Sequence, residues 1–576
     1  MKKFLKMVLA VICGILLLNL LTIAVIAGLS SGSGNAPVPA EGVLKIDMSK
    51  IIIDEQEGPG DPLSMIQSGG QMVTTLGLWE AVQAVNAAAE DPGVKYIYLK
   101  TDGNTTGIAH LSEFRKALAN FRTTSGKAIV AYIEAPTTGS YYLASVADKV
   151  YMTPHPGATI QLNGISSQMA FLGDLLKKLG VNCQLIRHGK YKSAGEMFTR
   201  GTSSPENREQ YQEMVNSMWK SVSSEIAESR GISVDALNDA IDNLKLCLSE
   251  DFEECGLVDG LLDRDSLKAR LATLAVTEDF DKVSMIKFAD YTAAKVTPST
   301  GKNKIAVIYA NGNIIDGEEE QNVAGDRFAS IIEKVRKDKN VKAVVLRVNS
   351  PGGSVLASEK IKNQLDKLGA EKPLVASYGT YAASGGYWIS NNCEKIYTDA
   401  VTLTGSIGVF GLIPEFSKTA SDLLHVSVES VSSNKHGDMY GAMRPFDQAE
   451  YDYMLRSIED IYNRFTEMVA QGRDMSVERV DEIGQGRVWT GSDALEIGLV
   501  DEIGTLEDAI AYAAALAGDE NVKSWNIKAY PAPQTMMESM MASIKGPQED
   551  YAVRLLKQLP KAGVYARLPQ EIKFNF

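Results

Sequence analysis

Cysteine is scarce in this 576-residue chain. Cys13, Cys183, Cys247, Cys255 and Cys393 are odd in number, and none forms a CxxC pair. That excludes a dense disulfide framework and the usual paired-thiolate zinc or redox sites. Cys247 and Cys255 could bridge in an oxidising compartment, but only their proximity in sequence favours it. Histidine is equally sparse. His110, His155, His188, His425 and His436 form no HExxH or other ligand spacing, so neither a metal site nor a cofactor is expected. An excess of positive charge is also missing: 58 Lys and Arg stand against 72 Asp and Glu, for a net charge of −14. An acidic chain of this kind argues against nucleic acid as the main partner. What remains is an ordinary globular composition, 45% hydrophobic and 23% charged, in a chain too long for one core.

A long uncharged, mostly apolar run extends from Met7 to Leu29, behind Lys2, Lys3 and Lys6. A run of about 20 apolar residues spans the hydrocarbon core of a bilayer, and a cleaved leader has a shorter one. The expectation is an uncleaved single-pass anchor in the cytoplasmic membrane. Its lysines keep the N-terminus cytoplasmic, and the rest of the chain lies on the extracytoplasmic side. Residues 1–29 then form the stub and anchor. Residues 30–42, rich in Gly, Ser and Pro, form a linker.

The remainder reads as a duplication. Gly93–Gly103 (GVKYIYLKTDG) resembles Asn340–Ser350 (NVKAVVLRVNS), Asp148–Tyr151 resembles Glu394–Tyr397, and Gly256–Asp259 returns as Gly498–Asp501. The three matches are collinear and about 245 residues apart, a period that makes each copy a whole domain. Within a copy, buried strand patterns (Lys304–Tyr309, Ala343–Val348, Pro373–Ser377) alternate with helical ones (Phe328–Lys337, Ala357–Leu368). That alternation indicates an α/β domain with crossover helices. The domains are placed at 43–290 and 302–525, with Thr297–Lys304 between them and a tail over 530–576. For the tail, with Met536, Met537, Met540 and Met541, two readings stand: contact with a neighbour or membrane, and a terminal helix covering core.

Three small-residue loops carry chemistry. Asn349-Ser-Pro-Gly-Gly-Ser354 follows a strand and lets backbone amides approach a ligand closely. Thr380-Tyr-Ala-Ala-Ser384-Gly-Gly-Tyr-Trp388 places a serine at a strand-to-helix turn, as a nucleophile or simply as a helix cap. Leu403-Thr-Gly-Ser406-Ile-Gly408 is a third such loop. No histidine lies in a loop matched by these motifs. A buried lysine can replace it as base, and Lys192 in His188-Gly-Lys-Tyr-Lys-Ser-Ala-Gly195 is available, although by itself it reads as a surface charge.

Together with Val488-Trp-Thr-Gly-Ser-Asp-Ala-Leu-Glu-Ile-Gly-Leu-Val-Asp501, these motifs resemble the signal peptide peptidase A (protease IV) family in its long, two-domain form, over nearly the whole chain. The resemblance implies a Clp-protease/crotonase-like fold in each half. It also implies a Ser–Lys dyad of Ser384 as nucleophile and Lys192 as base. Gly352 and Gly385 match the oxyanion amides, and Ser406 matches the serine that holds the lysine amine. Remnant signal peptides as substrates and a homotetramer are further implications. Aligned on the second half, the first has Gly139 opposite Ser384 and, if Gly164 matches Gly408, Leu162 opposite Ser406. The second half has only Lys435, in Asn434-Lys-His-Gly-Asp438, near the place of Lys192. One site shared between the halves is the economical reading. A crotonase-type acyl-CoA enzyme would carry carboxylates in these loops, and a catalytically dead membrane scaffold is the remaining alternative.

Overall fold

The computed structural model describes residues 38–58, 73–155, 160–297, 299–533, 563–568 and 574–575. The anchor at 1–29, most of the 30–42 linker and the four tail methionines lie outside the described residues. No helix among the described residues is long and apolar enough to cross a membrane.

Two sheets form the bases of the two halves, the first parallel throughout and the second parallel except at its Leu403–Gly405/Val488–Thr490 edge pair. The first is six-stranded, in the order Met285–Lys287, Gly42–Asp47, Val94–Lys100, Ile129–Ile133, Lys149–Met152, Gly260–Leu261, with every pair parallel. The second has eight strands. Its main path runs Val488–Thr490, Leu403–Gly405, Leu374–Ala383, Val341–Ser350, Lys304–Asn311, Asn526–Tyr530. Lys395–Thr398 and Glu502–Ile503 branch from Leu374–Ala383. The central strands are buried on both faces: Ala343, Val344, Val345, Leu346 and Val348 are all almost wholly hidden. A mostly apolar run of this sort, broken only by the buried Arg347, suits a parallel strand covered on both faces.

The repeat is visible in the helices as well as in the sheets. Pro205–Arg230 and Gln448–Arg473 are both 26 residues long and occupy corresponding places in the chain. Different chemistry starts each one. Ser204 caps the first, ahead of Pro205, and Gly231 ends it in the left-handed conformation. Asp447 and Glu450 close a reciprocal capping box on the second.

Sequence periodicity placed the elements of the second half and missed their ends. The strands expected at 343–348 and 373–377 run 341–350 and 374–383. They extend into the loops where the chemistry lies because Ser350 and Ala382 are still paired. In the tail, the described segments Gly563–Arg567 and Phe574–Asn575 are strands.

A third sheet joins the halves. Its order is Val323–Ala324, Ile314–Ile315, Gly352–Ser354, Gly563–Arg567, Val409–Glu415, Asn182–His188. The last pair is decisive for the site. Asn182–His188 of the first half runs antiparallel to Val409–Glu415 of the second, in unbroken register from Val409↔His188 to Glu415↔Asn182. Beneath it, buried ionic groups span the halves. Arg347 of the second half meets Glu55 at 2.7 Å and Glu113 at 2.6 Å, both from the first, and His110 meets Glu55 at 2.8 Å.

Candidate active site

The inter-half strand ends at His188, and the chain then turns sharply. Tyr191 N–H donates to the Gln485 carbonyl at 3.0 Å, which pins the turn to the second half. Lys192 follows and points inward, with no exposure to solvent. Two glycines make room for it. A methyl on Gly486 would lie 2.5 Å from Lys192 Cβ, and one on Gly408 3.1 Å from Lys192 Cδ. Gln210, from the long first-half helix, ties the turn down: its amide donates to the Tyr191 carbonyl at 3.3 Å, and its oxygen accepts from Val488 N–H at 2.9 Å.

Ser384 stands between the strand Leu374–Ala383 and the short helix Gly385–Ser390. Its backbone has φ 55° and ψ −111°, a region that non-glycine residues seldom occupy. Such strain persists only where the surroundings enforce it. Here Ser384 N–H donates to the Gly405 carbonyl at 2.8 Å, and its carbonyl accepts from Trp388 N–H at 2.7 Å. Ser406 also has positive φ, and its N–H donates to the Arg487 carbonyl at 2.7 Å.

These constraints bring three side chains together. Lys192 Nζ lies 2.8 Å from Ser384 Oγ, 2.9 Å from Ser406 Oγ and 3.0 Å from the Ser406 carbonyl oxygen. All three residues are completely buried. Burial pushes the Lys192 amine well below the usual lysine range, and no charged neighbour opposes it. The amine is therefore surrounded by hydroxyl and carbonyl groups and tends towards the neutral form that can accept a proton.

Gly352 and Gly385 lie beside this group. Gly352 has φ +94°, and its N–H donates to Ser350 Oγ at 3.2 Å. A methyl on Gly352 would be 2.6 Å from the Gly385 nitrogen, so the Gly352–Gly353 turn and the Gly385 amide face one small volume. Next to Pro351 a cavity of 970 Å³ opens between the halves, bordered by Thr138, Gly139 and Asn163 on one side and Asn349, Pro351 and Tyr381 on the other. No charged side chain is among the described residues that line it.

The first half has no comparable nucleophile at its own strand-to-helix turn. Thr137 caps the helix Thr138–Ala144, and Ser140 is occupied in that capping box. Lys435 is exposed, in a groove lined by Ser430, Arg444 and Asp447 that holds none of the site residues. His436, Asp447 and Glu450 cluster there, but Arg444 pairs with both oxygens of Glu450 at 2.6 and 2.7 Å, which accounts for the cluster as an ion-pair network. Cys247 and Cys255 are free thiols. Sequence reasoning missed Gly486 and Gln210. The available signal was Gly484-Gln-Gly-Arg487, directly ahead of the Val488 motif, where a glycine doublet flanks polar residues.

Comparison with known proteins gives the family. The description "Peptidase family S49" matches residues 122–278 and again 366–520. Protease 4 of Haemophilus influenzae is 33% identical over 586 residues, covering 96% of this chain and 93% of its own. The chain belongs to peptidase family S49. Protease 4 of Salmonella typhi shares 36% identity, over 93% of this chain and 87% of its own. The chloroplastic serine protease SPPA of Arabidopsis thaliana shares 31%, over 79% and 68%. This S49 chain is accordingly a serine peptidase, a hydrolase of peptide bonds, built on an α/β fold with two S49 regions.

Proposed function

We propose that this S49 peptidase cleaves peptides with a Ser384–Lys192 dyad shared between its halves. The observation that carries the reading is the 2.8 Å approach of Lys192 Nζ to Ser384 Oγ in a fully buried, uncharged setting. Neutral Lys192 takes the hydroxyl proton as Ser384 Oγ attacks the peptide carbonyl. The developing oxyanion is met by amides of Gly385 and of the Gly352–Gly353 turn. Gly352 N–H exchanges its contact with Ser350 Oγ for this role. One such donor is worth about 3 kcal/mol of transition-state stabilisation. Lys192 then protonates the leaving amine and activates the water that frees the acyl group. Ser406 holds the amine in line through its hydroxyl and carbonyl.

The substrates in this reading are extended peptides, remnant signal peptides among them. A relative in Enterococcus faecium, 33% identical over 227 residues, carries the name putative signal peptide peptidase SppA. The apolar run at 7–29 supports a single-pass anchor in the cytoplasmic membrane, N-terminus inside, with both Clp-like domains on the extracytoplasmic face. A homotetramer completes the proposal. The dyad is tested by peptide hydrolysis and by labelling with a serine-reactive probe. Ser384→Ala is expected to abolish both, and Lys192→Ala to abolish turnover. Substantial hydrolysis by Ser384→Ala would refute the assignment.

A further inference from the structure

Tyr191 and Trp489 come from different halves, and one side chain packs on both. Arg487 Cζ lies 4.9 Å from the centroid of the Tyr191 ring and 4.4 Å from that of Trp489. A planar guanidinium stacks on aromatic faces in a way that a lysine ammonium does not reproduce. Arg487 also donates to Tyr191 Oη at 3.4 Å. Glu213 and Glu209, from the long first-half helix, pair with the same guanidinium, Glu209 at 3.9 Å. Both carboxylates are half exposed, so these ion pairs hold little by themselves. The ring contacts are better sheltered: Tyr191 is buried, and the Arg487 side chain is only 18% exposed.

Every member of this stack leads directly to the site. Tyr191 precedes Lys192 in the chain. The Arg487 carbonyl accepts from Ser406 N–H at 2.7 Å. Trp489 pairs with Thr404, two residues before Ser406, and its indole N–H donates to the Ile483 carbonyl at 2.9 Å. The stack therefore joins the turn that delivers Lys192 to the loop that delivers Ser406. The Lys192 amine contacts two hydroxyls and one carbonyl, with no ion pair among the described residues to guide it. The other charged and titratable groups of the turn are engaged elsewhere. Arg187 donates to the Lys192 carbonyl at 2.9 Å and to Glu196 at 3.0 Å, and the Tyr191 hydroxyl donates to Glu209 at 3.1 Å. His188 stacks on Tyr462 at 4.0 Å, and Lys190 Nζ lies 5.0 Å from the Tyr191 ring centroid.

We infer that Arg487 is a positioning residue of the proposed reaction, a clamp between the halves that keeps Lys192 in line with Ser384 and Ser406. It touches none of the reacting atoms and acts through Tyr191. The inference rests on the Ser384–Lys192 reading and adds to it the side chain that holds the two parts of the site together. Without the clamp the turn loosens, the amine drifts and water reaches it. Misplacement on the scale of 1 Å lowers rate by about 100-fold. Water also favours the charged amine, so its ionisation moves back towards the ~10.4 of free lysine.

Peptide hydrolysis by Arg487→Ala, Tyr191→Ala and the double variant tests this, with kcat and KM measured across pH and a melting curve recorded for each protein. Arg487→Ala is expected to lose about 100-fold in kcat at neutral pH with KM little changed. The midpoint of its kcat/KM profile should move to more alkaline pH, so the deficit narrows as pH rises. Tyr191→Ala should behave alike, and Tyr191→Phe, which keeps the ring, should stay close to the parent. The double variant should be no slower than either single one, because residues that act as one unit are not additive. Arg487→Lys keeps the charge and loses the planar stack, so its kcat should fall between those of the parent and Arg487→Ala. A parental kcat in folded Arg487→Ala would overturn the inference; if that variant does not melt cooperatively, a parental kcat in Arg487→Lys would do so. A loss confined to KM, an unmoved midpoint, or a double variant in which the two losses multiply would overturn it as well. Failure of the dyad reading is separable, since it is read from Ser384→Ala alone.

Discussion

In the proposed dyad Lys192 has to lose its charge before it can act as a base, and its setting offers burial with no ionic partner. A free lysine titrates near ~10.4 and is almost fully protonated at neutral pH. Activity is therefore expected to rise with pH through a single ionisation below that of free lysine, as read from kcat/KM across pH. Lys192→Arg should be as inactive as Lys192→Ala, because guanidinium does not deprotonate in this range. Near-normal turnover by Lys192→Arg would reduce the residue to a positive charge. The same burial has a thermodynamic cost with a definite sign. Between the lowered folded value and the unfolded value, the unfolded chain binds more protons, so this residue's contribution to stability improves as pH rises. Lys192→Met is expected to melt higher than the parent at pH 7. The gap should narrow towards pH ~10, where the unfolded lysine also loses its proton. A gap independent of pH would show that packing, not charge, sets the difference.

At the scale of elements, the lysine turn is held between Gly486, Gly408 and the strand pairing from Val409 to Glu415. Gly486 has φ +80° and no space for a side chain against Lys192. Gly486→Ala should push the amine out of line, and misplacement on the scale of 1 Å lowers rate by about 100-fold. The expected outcome is a fall in kcat with KM little changed. A fall confined to KM would place the turn in substrate binding instead. Much of this neighbourhood was legible beforehand. Ser384, Ser406, Gly352 and Gly385 sit in small-residue loops after strand patterns, each ambiguous alone and specific only in combination. Lys192 by itself resembled any surface lysine, and only the family resemblance singled it out. What no local pattern revealed was the partner of Asn182–His188. Strand pairing between residues more than 200 apart leaves no periodic mark on either segment. Gly563–Arg567 was hidden for the same reason: five residues of mixed character become a strand only because two waiting edges flank them.

Across the whole molecule, the halves are bound through buried charge as well as backbone. Burial pushes the Glu55 carboxyl up, yet Arg347 and His110 outweigh it and hold the group at about 2. For Glu113, burial wins over the same arginine and the carboxyl stays above its usual range. Arg347 also donates to Ser377 Oγ at 2.8 Å and to the Tyr378 carbonyl at 3.0 Å, on the strand that leads to Ser384. Removing one member of such a group leaves uncompensated charge in the interior and costs about 3–5 kcal/mol. Arg347→Met should lower the denaturant midpoint accordingly. Adding Glu55→Gln and Glu113→Gln should recover much of the loss. If Arg347→Met alone were neutral, the network would be incidental to holding the halves together.

The proposed sharing of one site between two copies also has a consequence for descent. For the second half to become self-sufficient, it would need a strand of its own beside Val409–Glu415, followed by a turn that carries a lysine inward. The stretch that could supply one, around Lys435, is exposed and forms no strand. For the first half, a serine at Gly139 alone would lack the strained turn, the paired glycines and the third hydroxyl that surround Ser384. In the proposed site no single substitution moves either copy back towards independence, whereas one change at Ser384 or Lys192 is expected to disable both. A duplication of this kind acts as a ratchet: with a different part missing from each copy, neither can be discarded, and selection holds both as one.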